Sequence, residues 1–274
     1  MGSEPTGARL LELVRVMQRL RGPDGCPWDH EQTHRSLGKH LLEEAHETLE
    51  AIDTGDTGAL RDELGDLLLQ VVFHAQIASD DGAWDVDDVA DAIVTKLIRR
   101  HPHVFGDAEV SGAGEVLTNW EQIKAEERAA AVGDTEMARQ RVDDDIPPTL
   151  PALARAGKVQ RRAAGSGFDW RSTDAAIAKL REELDELESA ADGGDRDAAE
   201  AELGDVLFAA VSVARRLDID PEGALRRSTA RFADRYERMR DRADAEGVDL
   251  AALDDDELLA YFRPSRDADR SSGS

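Results

Sequence analysis

Cysteine is nearly absent from this 274-residue chain. Cys26 stands alone, so no disulfide can close within the chain and no multi-cysteine zinc site can be assembled. In its Gly/Pro-rich loop it reads as a structural residue, and the reducing cytoplasm is the expected location. Long apolar runs are missing as well: no stretch approaches the ~20 residues that a membrane-spanning helix needs. The first residues carry no basic segment followed by an apolar one, so no secretory signal is expected. Aromatic residues make up 4% of the chain, and nowhere do Val, Ile, Thr and aromatics alternate long enough for a strand. Basic charge is outweighed, with 34 Lys and Arg against 59 Asp and Glu, a net −25. That charge repels phosphate backbones and anionic lipid, so no nucleic acid and no membrane is expected as a partner.

What is present is helical spacing. Leu10, Leu13, Val14, Met17 and Leu20 form one apolar stripe, followed by an irregular loop over residues 21 to 29. Asp29 and Gln32 have the spacing of a capping box for a helix reaching about Asp53, and a turn over 54 to 58 leads to a third helix over about 59 to 79. Leu60, Leu64, Leu67, Leu68, Val71, Val72 and Ala75 make this third helix apolar on most of its surface, the pattern of an element inside a bundle. A fourth is predicted from Val86 to Arg100. The fold class is therefore all-α. Residues 132 to 151, with Pro147, Pro148 and Pro151, read as a linker between domains at 8 to 131 and 152 to 262, and the polar stretch from 263 to 274 as a disordered tail.

The two halves repeat each other. Glu43, Glu44, Glu47, Glu63 and Asp66 recur as Glu182, Glu183, Glu186, Glu202 and Asp205, all at one offset of 139. Weaker echoes join Trp28-Asp29 to Phe168-Asp169 and Lys96 and Arg100 to Arg231 and Arg235. On a helix Glu43, Glu44 and Glu47 share an arc of about 100°, and Glu63 and Asp66 project from one side of the next helix. So many carboxylates aimed at one region repel one another unless a cation lies between them, and a hard divalent ion such as Mg²⁺ or Mn²⁺ suits all-oxygen ligands. The plainer reading is a solvated acidic rim paired with arginines. Glu43-x-x-His46 has the spacing of di-iron bundles, but the matching position in the second half is Asp185, which argues against that chemistry.

In so acidic a chain, Lys96 and Arg100 one helical turn apart, with Lys124 further on, suggest anchors for an anionic substrate, or else a surface ion-pair network. Neither a Walker sequence nor a Gly-x-Gly-x-x-Gly fingerprint occurs, so a cradle of backbone amides is not the phosphate-binding device.

These residues resemble one known family. Gly25-Cys-Pro-Trp-Asp29, Leu42-Glu-Glu-x-x-Glu47, Glu63-Leu-Gly-Asp66, Lys96-Leu-Ile-Arg-Arg-His-Pro-His-Val-Phe-Gly-Asp107, Asn119-Trp-Glu-Gln-Ile-Lys124 and Gly167-Phe-Asp-Trp170 are similar to segments of the all-α nucleoside triphosphate pyrophosphohydrolases. The resemblance spans about residues 8 to 262. It implies a Mg²⁺-dependent hydrolase, with Mn²⁺ as a possible substitute, that cleaves nucleoside triphosphates to monophosphate and pyrophosphate by attack of water at the α-phosphorus. It assigns Glu44, Glu47, Glu63, Asp66, Glu183, Glu186, Glu202 and Asp205 to the metal, and Glu43 and Glu182 to the attacking water or to an outer shell around the metal. Lys96, Arg100, Arg231, Arg235 and Lys124 are implied to hold phosphates, although Arg231 stands where the family usually has Lys. It also implies a homodimer and a broad role in cleansing nucleotide pools or in stress. The alternative of a different class is a helical regulatory scaffold that binds metal and nucleotide without turnover. The second half is expected to be active, with the first left open.

Overall fold

The computed structural model describes residues 7 to 112, 114 to 116, 119, 120, 123, 126, 127 and 141 to 271, with side chains described as far as 263. The chain divides into two compact units at residues 128 and 129. Among the described residues every regular element is a helix. The first unit contains α1 (Ala8–Arg21), α2 (Pro27–Glu31), α3 (His34–Thr54), α4 (Thr57–Asp80), α5 (Val86–Arg100) and α6 (Pro102–Phe105). The second contains α7 (Ala152–Gly165), α8 (Thr173–Asp192), α9 (Arg196–Arg216), α10 (Pro221–Glu246), a 3-10 turn (Leu250–Ala252) and α11 (Asp255–Ser271). No described helix is long and apolar enough to cross a membrane.

Local chemistry sets the helix ends. Thr33 caps α3 reciprocally: its hydroxyl accepts from the Ser36 N–H at 3.1 Å, and Ser36 Oγ accepts from the Thr33 N–H at 2.9 Å. The box expected between Asp29 and Gln32 does not form. Pro27 suits the first turn of the separate helix α2, which takes in Asp29, and Gln32 Nε2 donates to the Trp28 carbonyl at 2.9 Å instead. The α3–α4 and α8–α9 hairpins turn on the same device. Gly55 and Gly194, again 139 apart, adopt left-handed φ of 73° and 69°, which glycine reaches without a Cβ penalty. Asp56 and Asp195 follow, and their carboxylates accept from the Ala59 N–H at 3.0 Å and the Ala198 N–H at 3.1 Å, satisfying orphan donors at the starts of α4 and α9.

The first core consists of Met17, Leu37, Val72, Phe73 and Ile77, which lock the α3–α4 hairpin to α1. Each such burial contributes about 1.5–3 kcal/mol. In the second unit Ala176, Ala209, Val211, Met239 and Ala243 are buried, and the three alanines are small enough to allow close helix approach. One expectation fails within a single chain. α4 is buried on one face only, because Leu64, Leu68 and Val71 stay 40–49% exposed, as do Leu203, Leu207 and Phe208 on α9. The Pro-rich stretch also differs from a bare connector: Ile146 is buried, and Asp143 accepts from Arg155 at 3.0 Å, pinning residues 141 to 150 to α7. At the far end α11 runs to Ser271, through much of the stretch expected to lack structure. A reciprocal cap between Asp254 and Glu257 starts it, and acids in its first turn favour the helix dipole.

Candidate metal centres

The hairpins bring the repeated acids together across paired helices. In the first unit Glu44 on α3 and Glu63 and Asp66 on α4 each place a carboxylate oxygen within 4.8 Å of the other two. Partial burial first, and then the charges of Asp66, Glu47 and Glu63, hold the Glu44 carboxyl above its ordinary range. Glu63 is raised in the same way by partial burial, Glu47 and Asp66. Glu47 thus stands beside the trio and adds to its repulsion. Glu43 points elsewhere, exposed and 2.9 Å from His40 Nδ1.

The second unit gathers a different trio. Glu183 and Glu186 on α8 meet Glu202 on α9 within 4.8 Å. Glu186 is raised chiefly by its hydrogen bond with Glu183, then by partial burial and the charges of Glu183 and Glu202. Lys179 Nζ reaches Glu182 at 2.6 Å and the buried Glu183 at 3.0 Å, and these contacts push its own pKa upward. Asp205 stands outside this trio but lines, with Glu183 and Lys179, a cavity of about 400 Å³. Gln160, Phe168 and Trp170 form other parts of the same wall.

Lys179 escapes a reading confined to acids, yet the repeat contains it. It lies 139 residues after His40, and each base contacts the acid three positions on, Glu43 or Glu182. Gln160 has no such signal, since a lone glutamine on a helix announces nothing. Of the expected phosphate anchors, Lys96 is exposed on α5 and Arg231 on α10, while Arg235 is half-buried. Arg100 donates to Glu127 from Nε at 3.2 Å and from a terminal nitrogen at 2.6 Å, and Arg99 reaches the same carboxylate at 2.6 Å. Glu127 is held below its ordinary range by that Arg100 hydrogen bond. Lys124 lies outside the described residues.

Both trios offer hard oxygen donors alone, and among the described residues no histidine joins either one. Carboxylates crowded enough to raise one another's pKa are a donor set that a hard dication relieves, so the residues fit Mg²⁺ or Mn²⁺ and not a di-iron pattern. Two helical hairpins carrying convergent carboxylates define an all-α acidic-hairpin protein built twice along one chain. Comparison with known proteins agrees. Residues 32 to 105 and 171 to 239 match the model of the MazG nucleotide pyrophosphohydrolase domain. A Thermotoga maritima protein named nucleoside triphosphate pyrophosphohydrolase/pyrophosphatase MazG is 42% identical over 263 residues, covering 96% of this chain and 98% of that one. An Escherichia coli nucleoside triphosphate pyrophosphohydrolase is 45% identical over 245 residues, covering 88% and 91%. One from Mycolicibacterium smegmatis is 41% identical over 176 residues, covering 64% and 52%. The chain belongs to the MazG nucleotide pyrophosphohydrolase family, hydrolases that act on acid anhydrides.

Proposed function

We propose that the chain is a Mg²⁺-dependent nucleoside triphosphate pyrophosphohydrolase of broad base range, releasing nucleoside monophosphate and pyrophosphate. The observation that carries this reading is the pair of carboxylate trios, Glu44/Glu63/Asp66 and Glu183/Glu186/Glu202, on hairpins repeated within a chain of this family. Glu44, Glu47, Glu63 and Asp66 would hold the ion in the first unit, and Glu183, Glu186, Glu202 and Asp205 in the second. When bound, a divalent cation neutralises charge along the triphosphate and makes water at the α-phosphorus more acidic. Glu43, which lies against His40, and Glu182, which Lys179 holds, would turn to accept the proton that this water loses or would act from outside the metal's own ligands. Lys179 keeps Glu182 and Glu183 in place through contacts of 2.6 and 3.0 Å, and its ammonium offers a cation to a phosphate oxygen. Lys96, Arg100, Lys124, Arg231 and Arg235 grip phosphates, Arg100 by exchanging Glu127 for the substrate. We assign turnover to the second unit, where the trio adjoins the 400 Å³ cavity.

The working form is a homodimer, which covers the half-exposed Leu64, Leu68 and Val71 of α4 and Leu203, Leu207 and Phe208 of α9. Cleansing of nucleotide pools in the cytoplasm is the role that such an activity serves. The test is product stoichiometry with Mg²⁺ present: pyrophosphate and monophosphate appear in equal amounts, and a chelator stops both. Orthophosphate with nucleoside diphosphate would refute the reading, and nucleotide that survives untouched would favour a scaffold without turnover.

A further inference from the structure

We propose that the cavity beside the second trio is a nucleobase subsite in which Gln160 Oε1 accepts a hydrogen bond from an exocyclic amine of the base. This rests on the pyrophosphohydrolase reading and adds to its broad base range a graded preference for bases that carry an amine. Gln160 sits on α7 with 6% of its surface exposed. Its Nε2 donates to the Phe208 carbonyl at 2.8 Å, which fixes the amide orientation, since the reverse would set two acceptors against each other. Oε1 is therefore the atom left over, and it is buried without a partner among the described residues. A buried acceptor costs stability until something donates to it, and here the side chain that carries it belongs to the wall of an open cavity.

The remaining wall says what kind of donor arrives. Phe168 and Trp170 present aromatic rings, 82% and 39% exposed, of the sort on which base π-faces stack. Glu183, Asp205 and Lys179 share the cavity, so a ligand on these rings also reaches the acids that would hold the phosphate-bound cation. A volume of about 400 Å³ falls within the roughly 300–1,000 Å³ of small-molecule sites. Bare phosphate would need neither the rings nor the acceptor. Among bases, adenine, cytosine and guanine project an amine beyond the ring, guanine's next to a ring N–H. The ring N–H of uracil or hypoxanthine comes flanked by carbonyl oxygen, which Oε1 and the Phe208 carbonyl would repel.

The experiment measures binding of the product monophosphates by calorimetry with Mg²⁺, which separates recognition from turnover. AMP and CMP are compared with the 5′-monophosphates of purine riboside and 2-pyrimidinone riboside, which lack the amine. Full-length wild type is expected to favour an amine-bearing base by about 10-fold, the scale of one buried hydrogen bond. Gln160→Met is expected to erase that preference and leave the amine-free analogues bound as before. The same amine preference in both proteins, as when a water satisfies Oε1, overturns the proposal. Should Gln160→Met fail to fold, Phe168→Ala, altering a ring 82% exposed, is expected to weaken all four ligands by about 10-fold, and unchanged binding overturns it equally. Wild-type turnover is assayed in parallel: its absence sinks the pyrophosphohydrolase reading, whereas turnover with flat base ratios sinks the subsite alone.

Discussion

Asp169 ties the aromatic segment beside the cavity to the helix that carries Glu202 and Asp205, and replacing it by asparagine removes the tie without changing its shape. Its carboxylate accepts from both terminal nitrogens of Arg215, one at 3.2 Å, and lies 3.4 Å from Arg216. The three side chains are 25%, 15% and 31% exposed, so the contacts are largely shielded. Arg215 Nε and Arg216 Nε are buried without a partner among the described residues, so no spare acceptor stands ready to take over. A hydrogen bond to a charged group contributes about 1.5–3 kcal/mol and a neutral one about 0.5–1.5. The substituted amide would keep one neutral acceptor and turn its NH₂ toward a guanidinium. After discounting for the residual exposure, a loss of ~2 kcal/mol follows. For a unit of this size that is a fall of roughly 8 °C in the second unit's thermal transition. Urea unfolding at several pH values tests the origin of the effect. The Arg215 hydrogen bond holds the Asp169 carboxyl below its ordinary 3.8. Its stabilisation is therefore fully present above that value and lost as pH falls through the lower folded pKa. Wild type and Asp169→Asn should differ by a constant amount from pH 7 to about 5 and converge on further acidification. A gap under ~0.5 kcal/mol at neutral pH, or one that persists in acid, refutes the reasoning.

Glu202→Gln should abolish pyrophosphate release while Glu63→Gln leaves most of it, each removing one charge from a trio. The opposite pattern assigns the working site to the first unit. Saturating Mg²⁺, at ~100 times its dissociation constant, should stabilise the wild type by about 2.7 kcal/mol, and either Gln variant should lose part of that gain; a melting curve indifferent to Mg²⁺ contradicts both centres. The His74 ring, lowered by burial and then by His34, whose Nδ1 lies 2.8 Å from its own, contributes stability that is complete above pH 6.5 and falls away below it. His74→Asn should flatten the first unit's stability between pH 7 and 5, and an unchanged slope counts against that assignment. Light scattering at micromolar protein should return about twice the 29.9 kDa chain mass, and a value near one chain would remove the dimer.

The Gly-Asp turns at 55–56 and 194–195 came to light only in the folded hairpins, whereas periodicity made the helices legible and the common offset of 139 made the repeated acids legible as a pair of matching sets. These are local or repeated properties, which a chain carries in its order of residues. Tertiary packing decided the rest. Identical acid spacings converge as Glu44/Glu63/Asp66 in one unit and Glu183/Glu186/Glu202 in the other, and Lys179 contacts both Glu182 and Glu183 where His40 meets Glu43 and the Trp28 ring. Thr33 rather than Asp29 caps α3, since Pro27 claims Asp29 for a helix of its own. Arg100 is met by Glu127, twenty-seven residues on, and Gln160 Nε2 finds the Phe208 carbonyl while its Oε1 is left without a partner among the described residues, beside a cavity that Phe208 and Phe168 help to shape. Such contacts join residues far apart in the chain, and their geometry depends on rotamers and interhelical distances that no spacing of residue types encodes.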